Sequence, residues 1–261
     1  MAFTPICLTR TQVTYQCYKG GVAKGEGLET MGCPIYSHPA QLAENKDCVL
    51  CMTCLKACPH RSVELNIRPP AIELWTSHTP RAYEVALLFL LLNVVFLHRL
   101  PEISTRFGWD WNLEVFSVHG GIAIAVLFLP VLLPLLAHQG VKLIAKLNQL
   151  KCKSFIELAY GYLPLVLAGN LAHYLRLGLG EGGRILPVTL ATFGLSDPGL
   201  PVLVAHPAVV AFLQGATLIF GVISGVILTQ KIAKKPLRVM LPQHFVMLGL
   251  VVLMSEVIVG F

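Results

Sequence analysis

Beyond Pro80 the chain carries five apolar runs, Tyr83 to Leu97, Phe116 to Ala137, Phe155 to Leu177, Pro207 to Thr229 and His244 to Phe261. Crossing the roughly 30 Å of bilayer hydrocarbon takes about 20 helical residues, so these runs set the architecture at about five transmembrane helices. The first is short unless Arg81 and His98 lie at the two interfaces. Composition agrees with this: 55% of the 261 residues are hydrophobic and only 13% are charged, where a soluble domain carries about 25% charged residues. Residues 1–81 contain no run long enough to span, and the stretch from Arg68-Pro69-Pro70 to Pro80 reads as a linker. The expected division is a small domain and linker at 1–81 and a helical membrane domain at 82–261.

Lysine and arginine positions test the direction of threading, because cytoplasmic segments hold the excess. With the N-terminal domain inside, the inner segments hold eight before the first run, four in Lys142, Lys146, Lys151 and Lys153, and four in Lys231, Lys234, Lys235 and Arg238. The outer segments hold Arg99, Arg106, Arg176 and Arg184. Sixteen against four, on alternating segments, predicts a multi-pass protein of the cytoplasmic (inner) membrane with its N-terminal domain on the cytoplasmic side. Met1 to Thr14 lacks the basic and apolar regions of a signal peptide, which agrees. No basic stripe with interleaved aromatics marks a nucleic-acid partner. Two intervening stretches read differently from spans. Val141, Leu143, Ile144, Leu147 and Leu150 recur at helical spacing among lysines, as in an amphipathic helix lying on the inner leaflet. Ile185 to Ala205 is apolar but broken by Pro187, Gly194, Pro198, Gly199 and Pro201, and is expected to be an outer re-entrant or interfacial loop.

Seven of the eight cysteines precede residue 59. Cys48-x2-Cys51-x2-Cys54-x3-Cys58-Pro59 has the spacing in which three thiolates reach one [4Fe–4S] cluster and the fourth turns to a second cluster. Zinc is the alternative, although zinc sites commonly use two separated pairs. Cys33, in Cys33-Pro34, is the candidate fourth ligand of the first cluster. Cys58 would then serve a second cluster with Cys7 and Cys17, three thiolates where four are expected. A non-cysteine ligand, a three-iron cluster, the absence of a second cluster or a missing upstream segment would each account for the shortfall. Lys46 and Lys56 beside the motif would attract an acidic redox partner. Cys152 stands alone between Lys151 and Lys153 and reads as structural.

The sequence Gly32-Cys33-Pro34, then Cys48-x2-Cys51-x2-Cys54-x3-Cys58-Pro59, then Arg68-Pro69-Pro70 leading into a membrane helix, resembles the membrane-bound polyferredoxins. These include the quinol-dehydrogenase iron–sulfur proteins of periplasmic nitrate and nitrous-oxide reductase systems and the cytochrome-oxidase accessory iron–sulfur proteins. The resemblance covers roughly residues 7 to 80. It implies an α+β ferredoxin-like domain, one or two [4Fe–4S] clusters on the cytoplasmic face, and electron exchange with a membrane or periplasmic partner. The sequence departs from many such proteins in having no helices or Cys-Pro motifs ahead of the cluster motif, which fits a truncated N-terminus as well as a short variant.

Ionisable groups inside a membrane are costly, so each is a functional candidate. His98, His119, His173 and His206 lie toward the outer side and His138 and His244 toward the inner one. Paired histidines could ligate haem b, His173 with His119 or His206 outside and His138 with His244 inside, although most sit at helix ends where no cofactor is needed. A quinone pocket asks for less, and His173 and Arg176, with Asn170 and Tyr174, could supply one; His119 is a candidate for either group. Glu157 and Glu256 could carry protons or serve packing alone. Gly221-x3-Gly225 has the spacing of a helix-packing pair. Together these readings predict an α-helical integral membrane protein that passes electrons between a soluble or quinone donor and a membrane partner, in contact with lipid and with a redox partner protein. No separate acid–base or nucleophile constellation is visible. Two other classes fit the same features: a redox assembly factor for a membrane metalloenzyme, or a redox-sensing transporter.

Overall fold

The computed structural model of the protein describes residues 2–5, 30–31, 33–36, 48–57, 63–66, 71–76, 78–109, 114–194, 202 and 204–260, with the backbone alone at 2–5 and 63–66. The chain forms two compact units, Met1–His78 and Thr79–Phe261. In the first, strand Ala2–Pro5 pairs antiparallel with Val63–Asn66, Ala2 opposite Asn66 and Pro5 opposite Val63. Two short helices, Thr53–Ala57 and Glu73–Thr76, complete its regular structure among the described residues.

The second unit is built from helices. Among the described residues four are long and apolar enough to cross a membrane: Phe116–Leu147, Phe155–Thr192, Pro207–Ala233 and Leu237–Ile258. The pair Ala82–His98 and Leu100–Arg106, bent by 58°, makes a fifth when counted as one span. We number these spans one to five in chain order. The bend in the first falls at Arg99, which leaves helical geometry at φ −105°, ψ 15°, and Pro101 then occupies the first turn of the second limb. Its missing N–H costs nothing there, because the first amides of a helix have no intrahelical partner. The second span tightens into a 3-10 turn at Leu129–Val131, where Pro130 cannot donate to the ladder. The third begins with a capping box: Ser154 Oγ accepts from the Glu157 amide and the Glu157 carboxylate accepts from the Ser154 amide at 2.9 Å. Ser154→Ala is expected to cost about 1 kcal/mol. A detergent unfolding titration checks this, and an unchanged midpoint would mean that packing of Leu158 alone holds that end.

Packing between spans rests on small residues that let backbones approach. A Cβ on Gly221 would meet the Ala168 side chain and, at 3.3 Å, the Pro164 carbonyl; one on Gly225 would stand 3.2 Å from the Gly161 carbonyl. The spacing Gly221-x3-Gly225 therefore marks the seam between spans three and four. Leu165, Ala172, Leu218, Met247 and Met254 are buried around it. Leu136, Leu167, Phe212, Phe220 and Phe245 are exposed on the outside of the unit, where hydrocarbon would cover them.

Several boundaries move from those expected. The stretch Val141 to Leu150 does not form a separate in-plane helix: the second span runs on through it to Leu147, burying Val141 and Ala145 while Leu143 and Leu147 remain exposed. Apolar periodicity records that one face is covered, and here protein rather than a leaflet covers it. Ile185 to Ala205 is not a loop from its start. Ile185–Thr192 is helical and extends the third span, with Pro187 in the first turn where its missing N–H is harmless; residues 195–201 and 203 lie outside the described residues. The fifth span begins at Leu237 rather than His244 and carries Pro242 inside it.

Candidate functional site

The cysteine motif lies in the first unit, on the loop that enters helix Thr53–Ala57. Cys48 and Cys54 are half-buried, Cys51 is exposed, and Cys33, Cys48, Cys51 and Cys54 are all free thiols. Two residues between the cysteines, Leu50 and Met52, adopt left-handed φ of 54° and 60°. Such values are uncommon outside glycine and cost free energy that the surrounding structure must offset. They fold the loop back sharply: Met52 O accepts from the Leu55 amide at 3.1 Å, which starts the helix. Backbone that alternates in φ sign turns successive amides to one side, the arrangement of anion- and cluster-binding loops.

The sulfurs respond to those donors. The hydroxyl and the amide of Thr53 hydrogen-bond the Cys51 sulfur and hold its thiol below the usual range. Burial pushes Cys54 up, against the Leu55 amide, and the nearby Cys48 and Cys51 add to the rise. Cys33 closes a turn of its own, its carbonyl accepting from the Tyr36 amide at 3.0 Å across Pro34. Among the described residues no three His, Cys, Asp or Glu side chains stand together at metal-holding positions. Cys7, Cys17, Cys58 and Lys46 lie outside the described residues. Three free thiols thus share one sharply turned segment, with the Thr53 hydroxyl and amide beside the Cys51 sulfur.

In the second unit the polar groups pair in ways that sequence spacing does not reveal. His173, on the third span, meets His98 at the end of the first limb, Nε2 to Nδ1 3.3 Å. That is hydrogen-bond spacing; two axial imidazoles on opposite sides of a haem iron, at about 2 Å each, would stand about 4 Å apart. Tyr174 packs edge-on to both rings. Asn170 is committed to the carbonyls of Leu91 and Val166. Arg176 lines a cavity elsewhere, between the ends of spans three, four and five, and His173 is not among its lining residues. His173 and Arg176 therefore do not share that cavity. His119 is exposed on the second span.

At the opposite end of the unit, His244 meets Gln230 at 3.3 Å. His138 is buried with neither ring nitrogen hydrogen-bonded, its ring edge-on to Phe155 at 5.6 Å between centroids. The pairing of His138 with His244 is thus replaced by separate environments. Glu256 pairs with Arg106 at 2.8 Å, joining the ends of spans one and five, and Glu157 serves the capping box.

Sequence reading passed over three buried amides. Asn93 donates to the Leu127 carbonyl at 2.7 Å, Gln214 to that of Ala172 at 2.9 Å, and Gln243 to that of Pro134 at 3.2 Å while its own carbonyl accepts from Tyr162. Each ties one span to another. The signal was present, since an Asn or Gln inside an apolar run must find a partner.

Cys152 lies between spans two and three and lines a small cleft with Lys151, Lys153 and Lys235. Burial pushes its thiol up; Lys142 and Lys235 oppose that rise and Glu157 adds to it. A thiol is reactive only as thiolate. Cys152 is therefore expected to alkylate more slowly than free cysteine at pH 7, its rate climbing about tenfold per pH unit past the ordinary thiol value near 8.5. Mass spectrometry of maleimide-treated protein follows this, and a plateau below that value would contradict it.

Fold and site together define a class: a multi-pass helical protein with a cysteine loop in its smaller unit. Comparison with known proteins finds no matching family model, no matching curated protein and no matching solved structure.

Proposed function

We propose that the protein is a membrane-anchored iron–sulfur electron carrier, passing electrons from a soluble or quinone donor to a membrane partner. The observation that carries this reading is the loop Cys48-x2-Cys51-x2-Cys54, whose left-handed turns at Leu50 and Met52 and donors at Thr53 suit a thiolate-ligated cluster. Cys48, Cys51 and Cys54 hold the first [4Fe–4S] cluster, with Cys33 as fourth ligand, and the unit around them is ferredoxin-like. Cys58, with Cys7 and Cys17, serves a second cluster where one forms. A bound cluster supplies a one-electron couple. The chain's own residues set its environment: Thr53 stabilises negative charge on the Cys51 sulfur, and burial of Cys54 opposes charge there, so the two ligands pull the potential in opposite directions.

The orientation follows from the charges. Lys151, Lys153 and Lys235 stand at one end of the helical unit, whereas Arg106 at the bend pairs with Glu256 at the other. The lysine end faces the cytoplasm, as does the cluster. Exposed Lys56, on the helix that follows the cysteine loop, is placed to attract an acidic donor or acceptor protein.

Iron and acid-labile sulfide per chain, on protein extracted anaerobically into detergent, test this reading. About four of each means one cluster on Cys33, Cys48, Cys51 and Cys54, and about eight means two. Stoichiometric zinc without iron would overturn the proposal.

A further inference from the structure

The end of the helical unit that carries the arginines holds a cavity of about 520 Å³, within the roughly 300–1,000 Å³ of a small-molecule site. One wall is apolar, with Val210 and Ile258 on it; the other carries Arg176, Arg184, Glu181 and Gln214. We propose that this cavity binds the headgroup of an anionic phospholipid, with Arg176 gripping the phosphodiester. This site is independent of the cluster and would stand if the electron-transfer reading failed.

Pairing of charges at this end carries the argument. Arg99 is held by Glu102 at 3.2 Å, Arg106 by Glu256 at 2.8 Å and Arg184 by Glu181 at 3.1 Å. Among the described residues Arg176 has no carboxylate and no hydrogen-bond acceptor, and it lines the cavity. A guanidinium is charged at every physiological pH, and its planar fork matches two oxygens of a phosphate. The polar wall thus offers one uncompensated positive charge.

Gln214 adds a second requirement. It is 3% exposed, and its Nε2 is tied to the Ala172 carbonyl at 2.9 Å, while its Oε1 has no partner among the described residues. An acceptor beside a guanidinium suits a ligand that carries a hydroxyl as well as an anion, as the glycerol headgroup of phosphatidylglycerol does. Helix dipoles do not oppose the anion. Pro207 and Ala208 at the start of the fourth span line the cavity, and although His206 already takes the first amides, the positive end of that dipole remains. The negative end of the fifth span is met by Arg106, which reaches Glu256 and the Gly260 carbonyl. The apolar wall would then lie along the glycerol and the first acyl carbons, at the depth where a lipid places them.

The test uses the full chain in mild detergent, offered mixed phosphatidylglycerol and phosphatidylcholine, with retained lipid counted by native mass spectrometry. Wild type is expected to keep one phosphatidylglycerol in preference to phosphatidylcholine. Arg176→Gln should lower that preference about tenfold, the worth of a charged hydrogen-bonding contact. Arg176→Lys, which keeps the charge and loses the fork, should fall between. Lys146→Gln, an exposed cation at the opposite end of the helical unit and outside the cavity, should stay within about twofold of wild type, because salt screens charges that far apart. Arg176 is exposed and holds no other side chain among the described residues, so circular dichroism of Arg176→Gln should match wild type. An unchanged preference in a folded Arg176→Gln would overturn the proposal. So would displacement of the lipid by millimolar inorganic phosphate, which would make this a free-anion site, or by a short-chain quinone, which would make it a quinone site.

Discussion

Cys51→Ala is expected to reduce bound iron from about four per chain to less than one and to remove the cluster's absorbance and paramagnetic signal. Three features converge on this residue. It is the middle cysteine of the triplet, it sits between the left-handed residues Leu50 and Met52, and its sulfur receives the Thr53 hydroxyl and amide. Removing it leaves those donors and a strained loop with no thiolate to serve, and Cys33, Cys48 and Cys54 are one ligand short of the four that hold a cubane. Cys152→Ala is the matched control. Cys152 lies among lysines between spans two and three and belongs to the other unit, so its loss should leave iron unchanged. Thr53→Val, which deletes the hydroxyl donor and keeps the shape, should retain iron while lowering the potential, because loss of a hydrogen bond to sulfur disfavours the more negative reduced state. If Cys51→Ala binds iron as wild type does, the triplet is not the ligand set.

Gly221→Val is expected to destabilise the helical unit by about 1–3 kcal/mol, the usual cost of overpacking, and more if the helices cannot separate. The new side chain would press on the Ala168 side chain, the Pro164 carbonyl at 3.3 Å and the Leu165 Cα at 3.4 Å. Two of those atoms belong to backbone, which cannot rotate away. In lipid there is no hydrophobic gain from helix association, so close van der Waals contact carries much of the stability and a forced gap is felt directly. Gly215→Val lies on the same span, where an added Cβ meets nothing within 4 Å. It should be neutral or slightly stabilising, since glycine is the poorer helix former. An equal shift of the unfolding midpoint for both variants would show that the seam at Gly221 is not tight.

Four of the five expected spans were legible in the sequence because lipid demands long apolar runs, whereas the first is a bent pair that spans only when its two limbs are taken together; the tight seam was legible because Gly221 and Gly225 stand one turn apart. Boundaries were less so. Val141 and Ala145 carry the same periodicity whether they face a leaflet or another helix, and only the packed unit decides between the two. Ile185–Thr192 is helical despite Pro187, because that proline stands in the first turn, where a missing amide breaks no bond. The pairings of His98 with His173, of Asn93 with Leu127 and of Gln214 with Ala172 depend on how each helix is rotated about its axis, which a single sequence does not fix. The cysteine spacing gives an expected ligand set. It could not show that Thr53 serves Cys51 or that Leu50 and Met52 bear the strain, since neither residue type announces a left-handed turn.

The most direct test of the central claim is an anaerobic EPR-monitored redox titration of the full-length protein extracted from membranes. The account predicts a paramagnetic signal that rises and falls reversibly over a one-electron Nernst curve, about 59 mV per tenfold change in ratio, and that is absent from Cys51→Ala. Protein that is diamagnetic at every potential and carries zinc in place of iron would contradict it.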